Sequence, residues 1–408
     1  MHYKKIFMVL ILSQYSFCIE NELSSSNKHA LSPLAPQGHW AVRFEAKTKT
    51  TNFSYDNNGK KENLGSKYDN INLDENILPQ LSMFGEGASL GTTSSSMEVD
   101  AQQFELTAGY GLTDDLTVGV IIPYRKYQRK LNFSVANGNL GINPRFDGSL
   151  PLSATNSPYL PTSMEGINPM TTVDIQNILT SEDYGFAYKP LQSTNNSGFA
   201  DPTVGLLWKA YGTSSDILIL GAGYRFGIAK EDDHNNLLNT DVGDGNSGIR
   251  LRMEYFRNLT NGFDLYSKIE YGIEFEDKVT KRVPKQGEFL VPKSRTERLK
   301  RDLGDYRIYD LGLGKSWSDY RVAAVWHRSD KDSDHYHSYK GTDTSALEAN
   351  TYAYANQWEA SLSWSGVDAW SKGNLPLPLI VNLSYRDTYE AKNALAWNEV
   401  YLNVSSFF

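Results

Sequence analysis

The sequence predicts an all-β fold, an antiparallel transmembrane β-barrel of about 12 strands with short periplasmic turns and long extracellular loops. Three observations support this prediction. Segments of roughly 10 residues alternate apolar with polar side chains. Aromatic residues make up 12% of the 408 residues and recur at the ends of these segments, as in a girdle at a membrane surface. The connections between segments alternate between short and long.

The alternation assigns a direction to each side chain. In HWAVRFEAKTK (39–49), the apolar row lies on one face and the charged row on the other, and IRLRMEYF (249–256) and FDLYSKIEYGIEF (263–275) repeat this pattern. The charged rows carry both signs, so we expect them to face a lumen. The lumen-facing candidates are Arg43, Glu45, Lys47, Arg250, Arg252, Glu254, Lys268 and Glu270. Two roles stay open for them, a salt-bridge network that fills the interior and a filter that selects solutes.

Twelve strands follow from the connections. Five short turns (112–115, 212–215, 259–262, 316–319 and the looser 365–376) alternate with six long polar segments (50–97, 131–200, 230–245, 277–304, 330–352 and 388–396). The predicted strands are 38–49, 101–111, 115–128, 203–211, 216–228, 248–258, 263–276, 306–315, 320–329, 354–364, 378–387 and 398–408.

The second long loop, 131–200, contains six of the 15 prolines and no convincing strand. TTVDIQNIL (171–179) is a candidate short helix within it. The loop either covers the mouth of the barrel or folds into the lumen.

Residues 1–18 have the features of a signal peptide, since Lys4 and Lys5 precede the short apolar run IFMVLIL (6–12). The one cysteine, Cys18, lies near the expected cleavage site, and a lipid anchor on Cys18 is the alternative. A periplasmic tail (19–36) and the barrel (37–408), with its long loops at 50–97 and 131–200, follow.

The composition excludes one class of partner. A formal net charge of -8 argues against nucleic-acid binding, which needs a basic surface. No pattern indicates a cofactor.

VWHRSD (325–330) places His327 and Ser329 on one strand face, the spacing that a lipid hydrolase of the outer membrane could use for a base and a nucleophile. Both residues are predicted to face the lumen or the loop end, away from acyl chains, and no Asn or Asp at a readable spacing completes a triad. We therefore predict a polar pair and no enzyme.

DKDSDHYHSYKGTD (330–343) has the acidic residues and histidines of a cation site, but His335 and Gly341 stand where a calcium loop needs glycine and a carboxylate. A solvated extracellular loop is the preferred interpretation, with no metal. DVGDGNSG (241–248) is interpreted as a turn cluster, because it lacks the strand and helix of a phosphate-binding loop.

GLTDDLTVGVIIPY (111–124) and GFADPTVGLLWKAY (198–211) resemble segments of the outer-membrane transporters of the phenol-degradation (MetA-pathway) family, and PQGHWAVRFEA (36–46) is compatible with that family's first strand. The resemblance implies a channel or transporter for small organic molecules, hydrophobic or aromatic ones among them. It assigns no binding residues. The alternative is a plugged structural or surface-adhesion barrel whose extracellular loops bind partners.

The last predicted strand includes YLNVSSFF (401–408), in which Leu402, Val404 and Phe408 should face lipid. This strand is expected to pair with the first strand and so close the barrel. Phe408 is the candidate assembly signal. The expected location is the bacterial outer membrane, with its lipids, lipopolysaccharide, the barrel-assembly machinery and a small-molecule solute as partners.

Overall fold

The computed structural model describes residues 34–148, 156–231, 233–238, 242–288 and 290–408, so the predicted signal peptide and most of the predicted tail lie outside the described residues. Twelve antiparallel strands close into one barrel, which confirms the predicted fold class. They are β1 Trp40–Thr51, β2 Thr92–Thr113, β3 Leu116–Ala136, β4 Thr203–Gly212, β5 Asp216–Arg225, β6 Gly248–Asn258, β7 Phe263–Glu274, β8 Tyr306–Trp317, β9 Tyr320–Lys331, β10 Ala353–Ser365, β11 Ile380–Lys392 and β12 Asn398–Phe407.

The barrel closes between its first and last strands, as predicted. β1 pairs with both β2 and β12, and Ala41 stands opposite Phe407. At the end of this pairing, the Trp40 amide donates to the Phe408 carbonyl (2.8 Å) and the Phe408 amide donates to the Trp40 carbonyl (2.9 Å). Closure leaves neither strand with an unpaired edge.

The outer face of the barrel is an apolar belt. Leu313 and Leu383 are about half exposed (51% and 50%), and the outward residues of the other strands follow the same pattern. Such a continuous apolar surface is stable in lipid and not in water. Aromatic pairs lie on the same face, with ring centroids 5.2 Å apart for Trp40 and Tyr110 and 6.4 Å apart for Trp317 and Tyr320. The chain is therefore a barrel of the bacterial outer membrane.

Two strands are much longer than the sequence predicts. β2 begins at Thr92 rather than at residue 101, and β3 ends at Ala136 rather than at residue 128. Their hairpin continues beyond the apolar belt because inner-face residues such as Phe133 and Val135 pack against the long loops. The two long loops therefore span 52–91 and 137–202, and each is shorter than the predicted loop.

These loops share a hydrophobic core, which we call the cap. Its buried residues come from the loops after β1, β3, β5 and β7 and from the β2–β3 hairpin: Leu73, Leu78, Leu81, Ala88, Leu90, Val135, Leu140, Tyr159, Met170, Ile175, Ile178, Leu179, Phe186, Tyr188, Leu191, Leu238 and Leu290. Burial raises the pKa of the Tyr159 phenol. The loops thus fold together at the extracellular end.

The second long loop contains regular structure. The predicted short helix is present as α1 (Thr172–Thr180), where the Thr171 side chain and Asp174 form a capping box. The absence of strands was a wrong prediction, since Leu140–Ile142 pairs with Tyr159–Pro161 and Thr194–Phe199 pairs with β3. Pairing with the extended hairpin orders segments that have no strand pattern of their own.

The remaining loop elements are short. Two three-stranded sheets lie outside the barrel, and no helix in the described part is long and apolar enough to span a membrane. The strands are Phe53–Tyr55, Lys61–Asn63 and Ala394–Leu395 in one sheet and Asp277–Arg282, Thr296–Asp302 and His335–Ser338 in the other; the helices are Ser66–Tyr68, Pro79–Phe84, Thr260–Gly262, Lys293–Arg295, α2 (Ser345–Glu348) and α3 (Val367–Ser371).

Arg282 ties three parts of the cap together. Its buried guanidinium donates to the carbonyls of Phe186 (2.5 Å) and Val291 (2.9 Å) and to the Asn235 side chain (2.6 Å). It also lies 3.8 Å from the centre of the Tyr188 ring. These three acceptors and the ring face stabilise the buried charge.

Replacing Arg282 by leucine should loosen the cap without unfolding the barrel. Each lost hydrogen bond to a charged group contributes about 1.5–3 kcal/mol, so local opening should become easier by at least about tenfold. Hydrogen exchange at the amides of Val283 and Val291 measures this opening. The exposed Lys278→Leu is the control, and equal exchange in the two variants would contradict this role of Arg282.

Candidate lumen site

The first three predicted lumen residues lie on the inner face of β1. The Arg43 guanidinium donates to Glu105 on β2 (3.2 Å). Lys47 lies 3.5 Å from Glu45 and 3.9 Å from Glu399 on β12. Each of the three predicted charges therefore has an opposite charge beside it.

Arg250 and Glu270 meet around one aromatic ring. Arg250 forms an ion pair with Glu274 (3.1 Å), and its guanidinium stacks 4.1 Å from the centre of the Tyr306 ring. The Tyr306 hydroxyl donates to Glu270 (3.1 Å). Gly272 lies between Arg250 and Tyr306 in the ladder, and a Cβ there would stand 2.1 Å from both side chains. Glycine at this position is what allows the stack.

The other three predicted residues are also paired. Arg252 forms an ion pair with Glu254, whose side chain is almost fully buried. Lys268 lies 3.0 Å from Asp310 on β8. Buried ions are stable only with such partners. The filling role and the selectivity role both stay predictions.

Further charged and polar residues of the lumen lie on the last three strands and were not among the predicted lumen residues. The Arg386 guanidinium donates twice to Glu359 (2.6 and 3.1 Å) and once to the Tyr401 hydroxyl (3.1 Å). Glu399 pairs with Lys49 (3.4 Å) and accepts from the Gln357 amide (3.3 Å). The sequence contained the information needed to find them. The alternation that places the Arg43 side chain in the lumen also places the Arg386 and Glu399 side chains there.

His327 has an acidic partner that the sequence did not predict. Asp310 stands directly opposite His327 in the β8–β9 ladder, and the His327 Nδ1 to Asp310 Oδ1 distance is 2.5 Å. The sequence offers no Asn or Asp at a readable spacing from His327, because cross-strand neighbours such as Asp310 have no fixed spacing in sequence. Asp310 also contacts Lys268, which makes the histidine part of the charge network.

The acidic loop after β9 is tied to neighbouring side chains. Arg307 donates to Asp332 (2.9 and 3.0 Å), Asp334 accepts from the Gly304 amide (2.8 Å), and His335 lies 3.4 Å from Glu348. Among the described residues, no group of three or more His, Cys, Asp and Glu side chains is arranged to hold a metal ion.

Backbone amides in the described part of the DVGDGNSG segment (242–248) bind one carboxylate. Buried Asp201 accepts from the amides of Ile228 (2.9 Å), Ala229 (2.8 Å), Asp244 (3.1 Å) and Gly245 (3.1 Å). Asp201 lies in the break between Thr194–Phe199 and β4, so the loop after β5 is fastened to the barrel wall at this break.

One side of the lumen carries no ionisable side chain at two successive ladder levels of β2–β5, nor on β2–β4 at the next level toward the extracellular end, where Arg225 of β5 stands opposite Thr203. We call this surface the uncharged wall, and its members pair in register across neighbouring strands. It consists of Thr107, Ile121 and Thr203, then Gly109, Gly119, Gly205 and Gly223, then Gly111, Thr117, Leu207 and Gly221.

The chain before β1 lies against the periplasmic end of this wall. Ala35 is 1% exposed, and its amide donates to the Thr117 hydroxyl (2.9 Å). Gly111 leaves room for this segment, because a Cβ there would stand 2.1 Å from the Pro36 carbonyl oxygen. The last residues of the predicted tail therefore contact the inner face of the barrel.

Comparison with known proteins places the fold among outer membrane channels. No family profile and no curated protein sequence matches the chain, so the resemblance to the phenol-degradation family has no support from sequence searches. Among solved structures, the barrel is similar to an outer membrane channel from Pseudomonas putida F1, with a TM-score of 0.52 and 10% identity over 91% of this chain and 96% of that chain. This likeness shows a common fold.

Two toluene transporters match with lower scores. They are TodX from Pseudomonas putida (TM-score 0.37, 12% identity, 94% of this chain and 93% of that chain) and TbuX from Ralstonia pickettii (0.36, 11%, 93% and 91%). TM-scores this low support no further argument.

Proposed function

We propose that the chain is an outer-membrane channel or transporter for small organic molecules, hydrophobic or aromatic ones among them. The uncharged wall is the observation that carries this proposal. A solute that moves along Ile121 and Leu207 meets apolar side chains and glycine backbone, and it need not displace a bound ion. The proposal assigns no reaction and no cofactor to the chain.

The charges across the lumen support the same function. Every predicted lumen charge has a polar or opposite-charge partner in the lumen network, which weakens its field toward a passing solute. Arg250 and Arg252 border the uncharged wall, since they stand opposite Gly223 and Gly221 in the β5–β6 ladder. Arg225 opposite Thr203 and Arg43 opposite Thr107 border the wall as well, so these four arginines are the charges beside the proposed path.

Replacing Arg250 and Arg252 by glutamate should shift the channel toward cations, because two positive charges beside the path become negative. The reversal potential of single channels in a KCl gradient measures this shift. Arg257→Glu, which changes an exposed arginine near the periplasmic turn, is the control for net charge. An unchanged reversal potential in the double variant would place the ion path elsewhere.

The cap gives specific support to one alternative, a plugged or surface-adhesion barrel. Arg125 and Arg129 of the β2–β3 hairpin donate to the carbonyls of Val242 and Leu238, which holds the loop after β5 over the inner face of β3. Absence of both conductance and solute uptake in reconstituted wild-type protein would favour this alternative over the channel.

A further inference from the structure

Four glycines stand side by side on the inner face of the barrel. Gly109 pairs with Gly119, Gly119 pairs with Gly205, and Gly205 pairs with Gly223. We call this set the glycine row. The ladder continues with Ala41 at one end and Arg250 at the other, so four adjacent strands project no side chain into the lumen at this level.

Backbone packing explains two of these glycines. A Cβ on Gly119 would stand 2.7 Å from the Ala108 carbonyl oxygen, and a Cβ on Gly205 would stand 2.6 Å from the Ala222 carbonyl oxygen. Carbonyl oxygens of paired strands cannot move away by these amounts without loss of ladder hydrogen bonds. Gly119 and Gly205 are therefore required by the close approach of the paired strand backbones.

The other two glycines are not required in this way. A Cβ on Gly109 would meet the Thr117 Cγ2 methyl at 2.9 Å, with the nearest backbone atom at 3.6 Å. A Cβ on Gly223 would meet the Thr203 Cγ2 methyl at 3.0 Å and the Val204 carbonyl oxygen at 3.3 Å. A rotation of Thr203 and a small shift would accommodate a side chain at Gly223, whereas at Gly109 the rotation of Thr117 would also give up its hydrogen bond with the Ala35 amide. Strand pairing therefore does not by itself account for the missing side chains at Gly109 and Gly223.

We propose, on the basis of the channel function above, that Gly109 and Gly223 determine the size of the solute that the channel passes. The glycine row lies between the level of Ile121 and the level of Leu207, in the middle of the uncharged wall. Charged side chains on other strands of the barrel are held in ion pairs. On this proposal, a side chain added at Gly109 or Gly223 narrows the path at this level.

The test compares inward with outward substitutions on the same strands. Gly223→Leu and Gly109→Leu add a side chain on the lumen face, whereas Ala222→Leu and Ala108→Leu add the same side chain on the lipid face. Liposome swelling with neutral polyols and sugars of increasing size gives the permeation rate of each variant. We expect the inward variants to slow the largest permeant solute by about tenfold and the smallest far less. The outward variants should match the wild type.

A second variant covers the case in which the leucine variants do not fold. Gly223→Cys, in a Cys18→Ser background, can be reconstituted first and then modified with alkylthiosulfonates of increasing size. We expect the size limit to fall as the attached group grows. Wild-type liposomes that admit no solute would refute the channel function itself. Wild-type permeation with no effect of either the leucine variants or the modified thiol would refute only the role of the glycine row.

Discussion

Replacing Arg386 by leucine is expected to lower the free energy of unfolding of the barrel by about 3–5 kcal/mol, the cost of leaving a buried charge without its partner. Arg386 makes two hydrogen bonds to Glu359 and one to Tyr401, and all three side chains are mostly shielded from solvent. The substitution would leave the buried Glu359 carboxyl group without its cationic partner. Urea-induced unfolding of the protein in detergent or lipid measures the change.

Two further variants test whether the Arg386–Glu359 ion pair accounts for the change in the free energy of unfolding. Arg257→Leu makes the same substitution in an exposed pair, where the distance to Asp216 is 3.7 Å, and should cost less than about 1 kcal/mol. Glu359→Leu combined with Arg386→Leu removes both charges and should be more stable than Arg386→Leu alone. If the single and double variants unfold at the same urea concentration, the ion pair does not explain the loss.

Replacing Phe408 by alanine is expected to reduce the amount of assembled barrel in the outer membrane several-fold. We propose that the exposed Phe408 ring contributes to recognition by the assembly machinery, while its backbone completes the pairing with Trp40. The alanine variant keeps the two backbone hydrogen bonds and removes only the ring. The fraction of heat-modifiable, membrane-inserted protein after expression measures the effect.

Val400→Ala is the matched control for Phe408→Ala. Val400 lies on the same strand, faces lipid and is 49% exposed, close to the exposure of Phe408. Equal insertion of the two variants would mean that the Phe408 ring has no special role. Normal refolding of Phe408→Ala from urea into lipid, together with poor insertion in cells, would attribute the defect to assembly rather than to stability.

The sequence was sufficient for the barrel and for the direction of its side chains. In β6, Leu251 and Met253 face lipid, whereas Arg250, Arg252 and Glu254 lie on the inner face, as the alternation predicts. A two-residue period needs no information from other strands, and an even number of strands follows from the connections alone. For the same reason, α1 was predictable from a local helical pattern.

Only the tertiary structure decided which residues meet. The register between strands makes Asp310 a neighbour of His327 and Arg386 a neighbour of Tyr401. Side-chain alternation specifies only the face on which a residue lies, and it does not specify which residue of the next strand stands opposite. The glycine row likewise exists only when four strands are aligned, since each glycine alone is unremarkable in its own strand. The cap depends on four loops that bury their apolar residues against one another. Sequence thus determined the face on which each strand residue lies, and closure of the barrel determined the partners, because pairing across strands is set by the geometry of the whole sheet.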